Sequence, residues 1–446
     1  MVPPMIPIVA PDSPRLDAIL SRGGTFSDAI DRTVADILQQ VQAEGDDALQ
    51  RFSERFDDVR PDPLKVPADV LANAEAALDD DLQRIIGEAA DNIRRYHRKQ
   101  VRDSWFTEDG DGVVLGQRIV PMERAGLYVP GGTAFYPSSL LMNAIPAQVA
   151  GVEEIHLVSP PKADGRPHPL VLATAAFLGL EHVYAVGGAQ AVGALAYGTD
   201  TVPAVDTIVG PGNAYVAAAK KQVYGRVAID SVAGPSEIGI LADASADPEY
   251  VAADLLSQAE HDERASALLV TPHRALAEAV QEHVEHRVPA LPRASIIETS
   301  LTDYGACIVT ETMDEAINVM NDLAVEHLEL HVEAPWEVMT HIRHAGAIFL
   351  GPYSSEPVGD YFAGPNHVLP TGGTARHASA LGVDAFIRKQ SVIGYTRDRL
   401  RKTGDDIAAF AEAEDLRAHA EAIRVRLRRM TPDDAADGAS PDAAAT

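Results

Sequence analysis

Several short stretches of this 446-residue chain carry side chains that hold cations and move protons. In Ser257-Gln258-Ala259-Glu260-His261 a side-chain carbonyl and an imidazole stand three residues apart, a spacing that puts both on one side of a helix. Such a pair suits a borderline divalent metal such as zinc. Glu326-His327 sets a carboxylate beside an imidazole just ahead of an apolar run, at the rim of a sheet. Pointing in different directions, the two could serve separate proton tasks. Gly359-Asp360-Tyr361 and Gly364-Pro365-Asn366-His367 fall in a long loop rich in Pro and Gly, where Asp360 could bind a cation and His367 an anion or a ring. Glu414 and His419 lie five apart in a charged helical segment, a poor spacing for one helix face. Each stretch alone has an ordinary alternative: a surface pair near a helix end, a solvated acid–base pair, a loop brace, or an exposed helix with ion pairs.

Gly-rich turns follow short β-branched runs at Tyr128-Val129-Pro130-Gly131-Gly132, Val186-Gly187-Gly188-Ala189-Gln190 and Gly210-Pro211-Gly212-Asn213. Free N–H groups at helix starts face the crevice where open α/β sheets bind ligands. None completes G-x-G-x-x-G, because Tyr215 stands where the last run needs its third glycine. The expectation is a nucleotide crevice without an ordinary Rossmann phosphate loop.

The elements that must position these residues are legible from periodicity. Residues Asp28 to Phe52 and Asp69 to Val101 repeat apolar positions at helical spacing. From Val113 onward, β-branched runs alternate with Ala-rich helical stretches, the signature of parallel α/β sheets with right-handed crossovers. Expected strands are Ala125–Val129, Glu154–Ser159, His182–Val186, Thr207–Val209, Ile238–Ala242, Ala267–Thr271, Cys307–Thr310, Leu328–Val332 and Ala347–Leu350, too many for one small sheet, so two α/β domains are expected. The helix carrying Gln258 and His261 should run from Pro248 to Asp262. After about Gly382 the strands are expected to stop, with Arg397 to Arg429 helical and Thr431 to Thr446 a disordered tail.

Composition removes several function classes. With 37 basic and 66 acidic residues the net charge is -29, so nucleic acid and anionic membranes are poor partners. The acidic excess reads as a solubility device suited to a salty cytoplasm. The single cysteine, Cys307, cannot form an intramolecular disulfide and points to a reducing compartment. It lies in an apolar run, where a buried structural thiol is the ordinary reading rather than a nucleophile for aldehyde oxidation. Met1 to Ala10 lacks the basic start of a secretory signal. On chemistry alone, a metal with a Glu and a His could equally belong to a zinc hydrolase acting on an amide.

Longer runs narrow that choice. Arg124-Ala125-Gly126-Leu127-Tyr128-Val129-Pro130-Gly131-Gly132, Val186 to Gln190, Ala233-Gly234-Pro235-Ser236-Glu237, Asp254 to His261, Glu326-His327-Leu328 and Gly364 to Thr371 resemble the histidinol dehydrogenase family, in its order and spacing, over about residues 15 to 430. The resemblance implies two NAD-dependent oxidations that turn L-histidinol into L-histidine through an enzyme-held aldehyde. It implies zinc on Gln258, His261, Asp360 and His419, and acid–base work by Glu326 and His327. Further substrate contacts would come from Ser236, His367 and Glu414, and NAD contacts from Tyr128, Gln190 and Asn213. It also implies a cytoplasmic homodimer of two incomplete Rossmann-like domains, with the site shared between subunits. The corresponding boundaries are an N-terminal extension over 1–25, a discontinuous domain over 26–128 and 237–381, a second over 129–236, a dimer-crossing helical segment over 382–430, and the tail over 431–446. The acidity, the tail and some residues around Ala378–Gln390 depart from usual members.

Overall fold

The structure, a computed structural model, describes residues 4–21, 27–131 and 136–430. Gly132 and the tail from Thr431 to Thr446, expected to be disordered, lie outside the described residues. The described residues within Met1–Val101 and Pro121–Ile387 form one compact unit, and those within Arg102–Val120 and Arg388–Thr446 another.

The first unit holds two parallel sheets. One has six strands in the spatial order Ile8–Val9, Ala306–Val309, Ser266–Thr271, Glu237–Ala242, His327–His331, Ala347–Leu350. The other has five, in the order His182–Ala185, Glu154–Ser159, Arg124–Tyr128, Thr207–Val209, Ala228–Ile229. Numbered along the chain, and leaving Ile8–Val9 aside, both sheets run 3-2-1-4-5. This doubly wound order, one strand short of a full Rossmann sheet, has a switch point between its first and fourth strands. Every expected strand is present within a residue of its expected ends. The fold is therefore the expected α/β class, with two incomplete Rossmann-like sheets.

Central strands explain themselves. Glu237–Ala242 is buried at every position, as a strand covered on both faces requires. His327–His331 is also wholly buried, yet polar and apolar residues alternate along it. Side chains alternate faces along a strand, so Leu328 and Leu330 enter one apolar core while His327, Glu329 and His331 line the opposite face. Cys307 is fully buried in its strand, and burial pushes its thiol up to about 12, as expected of a structural cysteine.

Several expectations change. The helical run from Asp28 breaks into Asp28–Glu44 and Asp46–Asp57 at Gly45. Val34, Ile37, Leu38 and Val41 of the first of these pack with Val192, Leu195, Ile208 and Val216 on the five-stranded sheet. Arg124–Tyr128 is the central strand of that same sheet. Helices of the segment 26–128 thus pack on the five-stranded sheet, where their amphipathic faces find an apolar complement, and Ile86 and Ile93 also share a core with Val368 and Leu381 of 237–381, where Asn92 donates to the Phe362 carbonyl at 2.9 Å. Strands do not stop at Gly382. Ile387–Tyr395 is a strand of the second unit, joined in one sheet with Val113–Pro121 and Trp105–Glu108. Its mostly exposed positions, among them Arg388, Lys389 and Gln390, give no apolar alternation to read. No helix among the described residues is long and apolar enough to cross a membrane.

The turn after Thr207–Val209 is pinned by a buried ion pair. Gly210 has φ +117°, and a Cβ there would lie 2.1 Å from the carbonyl oxygen of Tyr128, so only glycine fits. Asp230 accepts from the Gly210 N–H at 2.8 Å, while Lys220 donates to the Gly210 carbonyl at 2.9 Å and pairs with Asp230. Both side chains are almost wholly buried. Lys220→Met leaves Asp230 buried and uncompensated, and should lower stability by about 3–5 kcal/mol in a denaturant titration. A change below about 1 kcal/mol would show that the pair does not hold the turn.

Candidate active site

Glu326 immediately precedes the strand His327–His331, at the N-terminal edge of the six-stranded sheet. Its Oε2 accepts from the N–H of Glu237, on the neighbouring strand, at 2.9 Å. His327 Nδ1 donates to the Glu237 carbonyl at 3.1 Å and lies 3.7 Å from Glu326 Oε2. The two side chains, expected to diverge, therefore meet around one backbone position of the adjacent strand. His327 Nε2 points instead toward Asp360 Oδ1, 3.7 Å away. Burial raises the Glu326 carboxyl to about 7, against the opposing pull of His327 and the Glu237 N–H. Burial alone would lower His327, but the carboxylates of Glu326, Glu356 and Asp360 outweigh it and hold the imidazole well above its ordinary value.

The cation donors converge beside this pair. The helix is Pro248–Ala259, three residues shorter than expected; Glu260 caps it and His261 stands just beyond. His261 Nδ1 bonds the Ser257 carbonyl at 2.9 Å, which fixes the ring and leaves Nε2 for a ligand. One ligand atom each from His261, Glu356 and Asp360 lie within 4.8 Å of one another. With its amide nitrogen turned to donate to the Glu237 carbonyl and to Glu356 Oε1, 3.3 Å each, Gln258 keeps its own carbonyl oxygen as a donor. A carbonyl, an imidazole and carboxylates brought together behind buried positions fit a borderline divalent cation such as zinc. Glu356 is the residue that sequence reasoning missed. Its signal was the four-residue spacing from Asp360, which a short helix and a following π-turn convert into one cluster. Burial raises Glu356 to about 7, whereas Asp360, although burial alone would raise it, is lowered by the neighbouring imidazoles of His327, His367 and His261.

His367 faces the same cluster from the loop after Ala347–Leu350. Its Nδ1 lies 3.2 Å from the Asp360 carbonyl, and its Nε2 lies 3.2 Å from Ser139 Oγ, on a helix of the five-stranded sheet. Asn366 anchors that loop by donating to the Met142 carbonyl at 2.6 Å. Thr371 accepts from Gly234 N–H at 2.6 Å, just before Ser236 and the strand Glu237–Ala242.

The Gly-rich turns gather at one edge of the five-stranded sheet, since each follows the C-terminal end of a parallel strand. Tyr128 OH accepts from Gly188 N–H at 3.1 Å, and burial raises the phenol to about 12. Gln190 is buried near the start of the helix Gly188–Tyr197. Asn213 caps the helix Ala214–Val223, its Oδ1 accepting from Tyr215 and Val216, and keeps its amide donor for another partner.

Glu414 and His419 belong to the second unit. The single helix expected there is broken: Glu414 caps Arg397–Ala413, Asp415 has φ +59°, and His419 lies in Arg417–Arg428. The poor five-residue spacing therefore says nothing about whether the two can face one ligand.

A family model described as histidinol dehydrogenase matches residues 20–427. The chain belongs to the histidinol dehydrogenase family. The histidinol dehydrogenase of Geobacillus kaustophilus is 56% identical over 398 residues, 89% of this chain and 94% of that protein. The Chlorobaculum tepidum protein of the same name is 52% identical over 419 residues, 94% of this chain and 98% of its own. A crystal structure of histidinol dehydrogenase from Elizabethkingia anophelis superposes with a TM-score of 0.90 at 36% identity, covering 96% of this chain and all of that one.

The buried carboxyls make stability depend on pH. Burial first, then the neighbouring carboxylates Glu329 and Glu356, raises Asp254 to about 8. Groups raised on folding hold extra protons in the folded state, so their contribution is complete below the unfolded pKa and lost as pH rises through the folded one. For Glu326, Glu356 and Asp254 that window runs from about pH 4 to about pH 8. His327, also raised, adds to the loss in the upper part of the window. The melting temperature of cation-free protein should therefore fall across this range, and fall less steeply in Glu326→Gln. A flat profile in the parent chain would contradict the burial argument.

Proposed function

We propose that this chain oxidises L-histidinol to L-histidine in two successive NAD-dependent steps through L-histidinal, the last step of histidine biosynthesis. The observation that carries this reading is the convergence of Glu326 and His327 with the donors Gln258, His261 and Asp360 in a chain of this family. One zinc per subunit would be held by Gln258, His261 and Asp360, with His419 supplied by the second subunit of a cytoplasmic homodimer. When bound, the zinc would supply a fixed positive charge that anchors the imidazole and amine nitrogens of histidinol. NAD, the hydride acceptor, would lie along the crevice edged by Tyr128, Gln190 and Asn213. Ser236, His367 and the partner's Glu414 would complete the substrate pocket.

The chain's own residues divide the proton work. In its neutral form, with Nδ1 donating to the Glu237 carbonyl, His327 presents Nε2 as the atom that takes a proton, and a bound cation, by offsetting the carboxylates that raise the imidazole, would favour that form. It accepts the hydroxyl proton as the carbinol carbon gives up its hydride, a positioned base contributing roughly 10² to 10⁴-fold. Glu326, with a carboxyl near neutrality, then takes a proton from the water that attacks the aldehyde carbon. His327, having lost its first proton to solvent, accepts the hydroxyl proton of the hydrate as the second hydride leaves. Burial of both side chains keeps bulk water from competing.

Purified protein with zinc, NAD and histidinol should form two NADH per histidine, followed by absorbance. Glu326→Gln should slow histidinal oxidation by at least about tenfold more than histidinol oxidation, within the range of a single general base. Equal loss in both half-reactions would contradict the division of labour, and no NADH at all from the parent chain would contradict the activity.

A further inference from the structure

Below the proposed zinc donors lies a second layer of buried polar side chains that the chemistry above does not use. Glu329 is fully buried on the same strand face as His327, two residues further in. Its Oε1 accepts from the backbone N–H of Glu356 at 2.7 Å. Its Oε2 meets His331 Nε2 at 3.2 Å, and the same nitrogen lies 3.5 Å from Asp254 Oδ2. Asp254 sits one turn before Gln258 on the helix Pro248–Ala259. Ser257, on that helix, donates to the Asp254 carbonyl at 2.8 Å and reaches Glu356 Oε2 at 3.4 Å.

One carboxylate therefore touches, directly or through His331, all three elements that carry the upper layer: the strand with His327, the helix with Gln258 and His261 at its end, and the short Glu356–Val358 helix that leads into Asp360. We infer that Glu329, with His331 and Asp254, is a positioning unit that presets the cation site without touching the cation. Glu329 fixes the start of the Glu356 turn. Glu356 in turn accepts from the Gln258 amide and so aims the Gln258 carbonyl oxygen. A buried carboxylate in the interior of a parallel sheet is costly unless fully bonded, and here its bonds go to the elements whose relative placement the site needs.

The inference rests on the proposed zinc site, and its test separates the two. The full chain, stripped of metal, is titrated with zinc alone against a chromophoric chelator, and with cobalt(II), whose d–d absorption reports donor geometry. The parent chain should take up one equivalent. Glu329→Leu should bind zinc roughly 10 to 100-fold more weakly, the range for loss of an outer-shell partner, with an altered cobalt spectrum. Glu329→Gln, which keeps an acceptor for the Glu356 N–H, should recover most of the affinity. If Glu329→Leu gives no cooperative melt, Glu329→Asp, which keeps a carboxyl but falls short of that N–H, decides in the same way. Parental affinity and spectrum in a folded Leu or Asp variant would overturn the positioning role alone. A parent chain that takes up no zinc would overturn the zinc site and this inference together.

Discussion

The site is governed by the difficulty of keeping carboxylates out of water. Glu326, Glu329 and Glu356 are buried, Asp254 and Asp360 are nearly so, and they crowd around the inner face of one strand and the helix above it. Left charged and unpaired, such groups would cost several kcal/mol each. The structure answers with protons and hydrogen bonds: raised carboxyls at Glu326, Glu356 and Asp254, an imidazole pulled upward at His327, and backbone N–H donors from Glu237 and Glu356. A divalent cation bound by the upper layer would offset that charge by another means.

The twofold use of one topology explains where this region sits. In the six-stranded sheet the reactive side chains gather at the N-terminal ends of strands, opposite to where doubly wound sheets ordinarily bind ligands. In the five-stranded sheet the Gly-rich turns gather at the ordinary C-terminal edge. Ser139 on one sheet's helix and His367 on the other's loop meet at 3.2 Å, which brings the loop with His367 against the five-stranded sheet's helix Pro137–Ala150. One sheet brings the buried carboxylates and imidazoles, and the other the Gly-rich turns.

Much of this was legible in residue order. Strand positions followed from β-branched runs, because a strand buried on both faces has to be apolar almost throughout. The strand His327–His331 is the instructive exception: its His-Leu-Glu-Leu-His alternation announced a polar inner face, yet only the dyad at its edge was read as chemistry. Gln258, His261, Asp360 and His367 were legible by type, and through family motifs in register. Glu356 and Glu329 were not, since a carboxylate's role depends on which backbone N–H it finds after folding. Helix breaks were illegible for a related reason. Asp415 in the left-handed region and Asp79, whose cap on Asp80–Arg98 divides the helical run expected from Asp69 to Val101 after Ala68–Ala76, are local choices that apolar periodicity does not record. Which core receives the N-terminal helices was not legible, because periodicity shows that a helix has an apolar face and not what covers it.

The central claim is that a buried set of donors, completed by a second copy of the chain, holds one cation next to Glu326 and His327. Diffraction from crystals grown with zinc, recorded on both sides of the zinc absorption edge, tests it most directly. The account predicts one anomalous peak per chain, about 2.0–2.2 Å from the Gln258 oxygen, His261 Nε2 and an Asp360 oxygen, with His419 of a neighbouring copy as the fourth protein donor. A peak elsewhere, or none between Gln258, His261 and Asp360, would contradict it.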